Sequence, residues 1–399
     1  MKKMLSFAAM IAALSYASPA SAELKFGGDA STRLRGQFGN TKSVDGVKDK
    51  SDDLLFQYRI RLNGAADLGG GYFFKTMIMS EETAGGVALG GGWSPVGVNN
   101  SGAYNLEVSN FVFGRMMKDS HYMVGRIPLN SVNNPIFDLT QFAIPTASTI
   151  LSNNTGVAAA TTIYAVDIPV ATFMNDRVYG LNYGTKVGDG ELNATVVVLD
   201  NFSTDNKLPD PILINGRTKN ADGLFNDGYI LHLSYKTNLG DVTVEPQALI
   251  SLTDVNGVNY TDVSPNTFGA NATVPVGKSK LGFSGFYTLC KDKYGVTPST
   301  GLTTNVDYSG YLVRAKAESG PVTAWIDFNK TTNRTPVADV EYNNMFIWAQ
   351  YKVNVHESAT GTFSVTPTVR YRASSSQAAG AGKAEDNQLR TELYATVTF

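Results

Sequence analysis

Apolar and polar side chains alternate at every position of residues 56–63, which read Phe56-Gln57-Tyr58-Arg59-Ile60-Arg61-Leu62-Asn63. Successive side chains of a β-strand point to opposite faces, so this stretch predicts a strand with one apolar face and one polar face. The segments 24–38 and 387–399 repeat the pattern. Such strands fit either a soluble sandwich, whose apolar faces meet in a core, or a membrane barrel, whose apolar faces meet lipid.

The connections between strands favour the barrel, because short turns alternate with long loops. Short turns occur at Gly69-Gly70-Gly71, Lys118-Asp119, Gly188-Asp189-Gly190, Gly240-Asp241, Gly277-Lys278-Ser279 and Ser319-Gly320-Pro321. Long loops lie near 39–53, 83–102, 129–175, 202–227, 254–266, 293–306, 333–341 and 374–386. An even number of strands with turns on one side and loops on the other is typical of bacterial outer-membrane barrels. We therefore predict an all-β fold, a transmembrane antiparallel β-barrel of about sixteen strands.

The predicted strands cover 24–38, 54–68, 71–82, 103–117, 120–128, 176–187, 190–201, 228–239, 241–253, 267–276, 280–292, 307–318, 321–332, 342–353, 361–373 and 387–399. Two of them contain an internal proline, Pro246 and Pro367. Proline donates no backbone hydrogen bond, so each of these positions requires a local irregularity in the sheet.

The N-terminal residues predict a secretory signal peptide. Lys2 and Lys3 precede the apolar stretch 4–17, and Ala20-Ser21-Ala22 supplies an A-x-A cleavage site. We expect residues 1–22 to be the signal peptide and residues 23–399 to be the barrel domain. The single cysteine, Cys290, excludes a disulfide within the chain, and the net charge of −2 gives no reason to expect a nucleic-acid partner.

No enzyme chemistry is predicted. His121, His232 and His356 lie far apart in the chain and lack metal-ligand spacing. His232 and Ser234 share a strand face, as they would in an outer-membrane hydrolase, but alternation directs that face into the barrel lumen. We therefore predict no catalytic residue, no metal site and no cofactor.

The chain resembles the general porins of Gram-negative outer membranes. The likeness consists of the signal peptide, the sixteen-strand rhythm, one very long loop after the fifth strand and a final amphipathic strand ending in Phe399. The resemblance implies a homotrimer in outer-membrane lipid that forms a water-filled channel for passive diffusion of small hydrophilic solutes and ions. It also implies that the third loop, 129–175, folds into the barrel and places acidic residues at a constriction. The acidic candidates are Asp138, Asp167 and Asp176.

A basic sector of the lumen wall is predicted by alternation. The polar faces of the first two and last two strands, which become neighbours on closure, carry Arg33, Arg35, Arg59, Arg61, Arg370, Arg372 and Arg390. Arg126 on the fifth strand is expected to add to this lumen charge. Such a sector would concentrate small anions and give the pore a mild anion preference. The alternatives are arginines neutralised by carboxylates such as Glu392, a substrate-selective anion channel, and a structural or adhesive barrel with a plugged lumen.

Overall fold

The computed structural model describes most of the chain after the predicted signal peptide. The described residues are 23–80, 93–96, 99, 106–128, 134–138, 148–152, 159–163, 177–200, 213–214, 217–218, 227–254, 263–297, 302–335 and 339–399. The predicted signal peptide, 1–22, and the candidate constriction residues Asp167 and Asp176 lie outside these ranges.

Sixteen strands form the barrel wall. They are β1 (Glu23–Lys42), β2 (Lys48–Gly69), β3 (Tyr72–Ser80), β4 (Leu106–Met116), β5 (Ser120–Pro128), β6 (Arg177–Val187), β7 (Gly190–Asp200), β8 (Gly228–Leu239), β9 (Val242–Ser251), β10 (Asn266–Val276), β11 (Ser279–Thr297), β12 (Leu302–Ser319), β13 (Val322–Asn333), β14 (Val340–Tyr351, continued by Val353–Ser358), β15 (Gly361–Ala378) and β16 (Lys383–Thr398). The prediction of a sixteen-stranded antiparallel barrel is confirmed.

The barrel closes where the two ends of the chain meet. Each strand pairs antiparallel with the next one in sequence, and β1 pairs with β16 from Asp29↔Thr398 to Lys42↔Glu385. Beyond these pairs, the Gly28 amide donates to the Phe399 carbonyl at 2.8 Å. Closure pairs the first strand with the last, so neither of them keeps an open edge, which the interior of a lipid bilayer could not satisfy with hydrogen bonds.

Shorter elements accompany the wall. A two-residue strand, Ser94–Pro95, pairs with β2, and a one-turn helix spans Pro135–Asp138. Two small hairpins stand apart from the barrel sheet, one made of Ser148–Ser152 and Ala159–Ile163, the other of Leu213–Ile214 and Arg217–Thr218. None of the described helices is long and apolar enough to cross a membrane.

Several strands extend further at their loop ends than alternation predicted. The β1–β2 ladder continues to Lys42↔Lys48, so most of the predicted loop 39–53 is strand. The same holds for 293–306 and 374–386, which β11, β12, β15 and β16 largely occupy. A ladder is held by backbone hydrogen bonds, which charged residues such as Asp49 and Lys50 make as well as apolar ones.

Both internal prolines coincide with a local break in the sheet. Pro246 pairs with Ala270 on β10, whereas the β8–β9 ladder has no pairs between Ser234↔Gln247 and Thr237↔Val244. Pro367 pairs with Leu393 on β16, and the neighbouring strand β14 is interrupted at Lys352. Each proline is therefore paired with one neighbouring strand and has no pair in the other, because proline has no backbone N–H to donate.

An apolar outer surface surrounds the wall. Large hydrophobic side chains that point outward from widely separated strands stay exposed, among them Ile60 (37%), Phe113 (50%), Phe283 (49%) and Leu393 (48%). An exposed band of this kind around a closed barrel is the lipid-facing surface of a transmembrane protein. Tyr58 differs: its register gives it the same face as Ile60, but it lies beside Ser94 of the extra strand and is buried.

Candidate pore-lining site

The seven arginines predicted on the first two and last two strands lie together on the inner face of the barrel, and we call them the arginine sector. The sector consists of Arg33, Arg35, Arg59, Arg61, Arg370, Arg372 and Arg390. The inner face is identified by register, because the residues that alternate with the arginines, such as Leu34, Ile60 and Leu393, are the exposed outer ones. Closure between β1 and β16 brings the four strands side by side.

Glu392 is the central carboxylate of the arginine sector. Its Oε1 lies 2.5 Å from Arg35 Nε and 3.6 Å from Arg33 Nη1, and its Oε2 lies 2.7 Å from Arg370 Nε. The Tyr394 hydroxyl also donates to Oε2, at 2.6 Å. The Glu392 side chain has no exposed surface, so one buried carboxylate compensates three guanidinium groups.

Two further carboxylates complete the ion pairs. Asp29 Oδ2 accepts from Arg61 Nε at 2.7 Å, and its Oδ1 lies 3.7 Å from Arg59 Nη2. Asp386 Oδ2 accepts from Arg372 Nη2 at 2.5 Å. Six arginines thus share three carboxylates.

Arg390 is the seventh arginine and makes no ion pair within the described residues. It lies opposite Arg370 in the β15–β16 ladder, and the charges that act on it are those of Arg35, Arg370 and Arg372 and, more weakly, that of Glu392. Its surroundings are therefore dominated by like charges. Seven guanidinium groups against three carboxylates leave the sector with a surplus of four positive charges.

Aromatic rings extend this wall beyond the arginines. The Arg370 guanidinium carbon lies 3.8 Å from the ring centroid of Trp348, and Trp348 stacks on Trp325 with a centroid separation of 4.8 Å and an interplanar angle of 9°. On β12, Arg314 lies 5.5 Å from the Trp325 ring and makes two hydrogen bonds to Asp327, at 2.5 and 2.7 Å. Rings and guanidinium groups hold one another by cation–π attraction, which fixes the side chains of the wall.

Trp93 contributes another ring, from the connection between β3 and β4. Its ring lies 4.2 Å from the guanidinium carbon of Arg33 and 4.7 Å from that of Arg59. Sequence reasoning missed this residue, because residues 83–102 read as an outer loop. The only signal available was a tryptophan in an otherwise small and polar segment.

Two described segments of the long loop after β5 lie near different parts of the barrel wall. Asn134 exchanges two hydrogen bonds with Gln247 on β9, at 3.0 and 3.1 Å, and its Oδ1 accepts from Asn271 on β10 at 3.1 Å. The hairpin of Ser148–Ser152 and Ala159–Ile163 has Cα atoms within 8 Å of β1, β15 and β16. Most of the segment 129–175 lies outside the described residues. The inward fold of the third loop therefore stays a prediction.

Arg126 lies on the outer face, contrary to the prediction. In the ladders it faces Phe111 and Tyr179, whose rings are exposed on the outer surface, and its guanidinium carbon lies 5.4 Å from the Tyr179 ring. The inner positions beside it belong to Ile127 and Val178, which are buried. Because both faces of β5 carry apolar residues, alternation gave no reliable orientation there.

The remaining candidates are distributed as follows. Asp138 is the last residue of the helix Pro135–Asp138. His232 and Ser234 are buried on the inner face, where His232 Nε2 hydrogen-bonds Gln247 Oε1 at 2.9 Å. His121 contacts Asn182 Oδ1 at 3.1 Å. Within the described ranges no group of three His, Cys, Asp or Glu side chains could hold a metal ion.

Comparison with known proteins gives matches in structure and none in sequence. No family model matches the sequence, and no curated protein matches it. The outer membrane channel DcaP of Acinetobacter baumannii aligns with a TM-score of 0.52 and 12% identity, over 96% of this chain and 99% of that one. The anion-selective porin from Comamonas acidovorans aligns with a TM-score of 0.49 and 14% identity, over 95% and 100%. The chain therefore has the fold of the barrels that span bacterial outer membranes.

Proposed function

We propose that this protein is a water-filled channel for the passive diffusion of small hydrophilic solutes and ions across the outer membrane, with a mild preference for anions. The observation that carries the proposal is the surplus of four positive charges in the arginine sector, seven guanidinium groups against the three carboxylates that pair with them. The channel acts without a cofactor, since diffusion requires only a polar path through a closed barrel.

The charge preference follows from the geometry of the wall. A cleft lined by one sign of charge raises the local concentration of the opposite sign, and the effect grows where low-dielectric walls focus the field. Guanidinium groups also bind carboxylate and phosphate through two parallel hydrogen bonds. Arg390 makes no ion pair among the described side chains, so a passing anion would not have to displace a carboxylate from its guanidinium group.

The fold supports the channel, and the resemblance to general porins extends the proposal to a homotrimer in outer-membrane lipid. DcaP, a solved structure with the same fold, is described as an outer membrane channel. Chemical cross-linking of the folded protein tests the trimer. A single band at the mass of one chain would contradict it.

Single-channel recording in a planar bilayer tests the function. Open steps are expected, and the reversal potential in a salt gradient should favour anions most strongly at low ionic strength, where screening is weakest. Arg390→Gln should move the reversal potential toward cations. The matched control, Lys383→Gln, removes a charge that pairs with Glu385 at the rim and should move it little. A channel without open steps would instead support a plugged scaffold, and a cation-preferring wild type would refute the charge argument.

A further inference from the structure

Trp93 covers part of the arginine sector from a position in the barrel wall. It immediately precedes Ser94–Pro95, which pairs antiparallel with Tyr58 and Gln57 of β2. The described part of β3 ends at Ser80, and the short strand pairs with the part of β2 that lies beyond this point. The same register places Trp93 beside Arg59 on the inner face.

Three side chains hold the Trp93 ring. The guanidinium carbons of Arg33 and Arg59 lie 4.2 and 4.7 Å from its centroid, and the Tyr394 ring packs edge-on with a centroid separation of 5.4 Å and an interplanar angle of 66°. Trp93 is itself buried, with 6% of its surface exposed. Cation–π attraction strengthens when both partners leave water, so this contact favours a closed arrangement.

The side chains of the arginine sector differ in their access to the lumen. Arg35 and Arg370, which share Glu392, are each 7% exposed, and Arg33 and Arg59 are the two that pack against Trp93. The side chain of Arg33 has no exposed surface and that of Arg59 is 12% exposed. By contrast, Arg61 is 29% exposed and Arg372 is 20% exposed, and Arg390 is half-buried. A solute in the lumen can therefore reach Arg61, Arg372 and Arg390 but not Arg33.

We propose that Trp93 is a selectivity-determining residue of the channel, which withholds Arg33 and Arg59 from anionic solutes. The inference rests on the proposed function, because selectivity has meaning only for an open pore. A covered guanidinium still contributes to the field of the wall, but it cannot make the paired hydrogen bonds that hold a carboxylate or phosphate. Removal of the ring would add two such groups to the lumen and strengthen the preference for anions that carry carboxylate or phosphate.

Chemical modification tests the cover without any channel recording. Folded protein in detergent is treated with phenylglyoxal, which modifies accessible guanidinium groups, and each arginine is followed by peptide mass spectrometry. In the wild type Arg33 should react several-fold more slowly than Arg390. Trp93→Ala should bring the Arg33 rate close to that of Arg390, whereas Trp93→Phe should preserve the protection. Equal rates for Arg33 and Arg390 in the wild type, or an unchanged Arg33 rate in Trp93→Ala, would overturn the proposal.

Bilayer recording then tests selectivity. Trp93→Ala should shift the reversal potential toward anions relative to Trp93→Phe, and Tyr287→Ala, which removes an exposed ring from the outer face, is the matched control. Arg33→Gln should have a larger effect in the Trp93→Ala background than in the wild type. Equal selectivity in the Ala and Phe variants would refute the role of Trp93.

The two assays separate the two proposals. A wild type without conductance refutes the channel, while the modification rates still report whether Trp93 covers Arg33. Folding of each variant is verified by its heat-dependent electrophoretic shift, and Trp93→Leu replaces Trp93→Ala if the latter does not fold.

Discussion

Replacement of Glu392 by glutamine should destabilise the barrel severely. The substitution keeps the size and shape of the side chain but removes the charge that compensates Arg33, Arg35 and Arg370, at distances of 3.6, 2.5 and 2.7 Å. Removal of one partner from a buried ion pair costs about 3–5 kcal/mol, because the opposite charges stay buried without compensation. Since three guanidinium groups depend on this one carboxylate, we expect Glu392→Gln to lower the free energy of unfolding by an amount in that range.

The matched control is Glu385→Gln on the same strand. Glu385 pairs with Lys383 at 3.1 Å, and both side chains are partly exposed, so its loss should cost no more than about 1 kcal/mol. Reversible urea unfolding of the protein in lipid vesicles, followed by tryptophan fluorescence, measures both variants. If Glu392→Gln unfolds at the same urea concentration as Glu385→Gln, the buried carboxylate does not hold the arginine sector together.

Other predictions concern the faces of the wall and the long loop. Arginine in place of Ile60 should cost about 2–4 kcal/mol if position 60 lies near the middle of the membrane, as measured by the same unfolding assay, whereas Arg61→Gln should cost much less. With Cys290 first replaced by Ser, a membrane-impermeant thiol reagent should label cysteine at position 61 faster than cysteine at position 60, and equal rates would contradict the face assignment. Asn134→Ala removes the hydrogen bonds to Gln247 and should increase the amplitude of conductance fluctuations, which would stay at the wild-type level if the loop were held elsewhere.

Much of the architecture could be predicted from the sequence, because a barrel wall obeys a two-residue period that the sequence shows directly. Strands such as β5 and β8 begin and end at the predicted residues. The inner placement of the arginine sector also followed from alternation, together with the adjacency of first and last strands that closure imposes. Both inferences use only local periodicity and one topological rule.

The structure differs from the sequence-based predictions where a side chain's position depends on contacts with residues distant in the chain. The position of Trp93 depends on a strand pair with Gln57 and Tyr58, more than thirty residues earlier, which no local pattern encodes. The outer position of Arg126 is set by its register against Phe111 and Tyr179. The sequence also could not predict that three arginines share the carboxylate of Glu392. Alternation predicts the face of the sheet on which a side chain lies, but not the side chain that it contacts.

The junction between β1 and β16 joins the two ends of the chain, and this has a consequence for how the protein is assembled. Arg33 and Arg35 belong to the first strand, whereas Glu392, which compensates them, belongs to the last. Until these two strands meet, Glu392 cannot compensate Arg33 and Arg35, so an unclosed barrel carries uncompensated charge along its first strand. Closure of the barrel and neutralisation of these arginines by Glu392 therefore happen together. We expect that a chain truncated before Glu392 would remain an open sheet with uncompensated arginines and would not insert into the membrane.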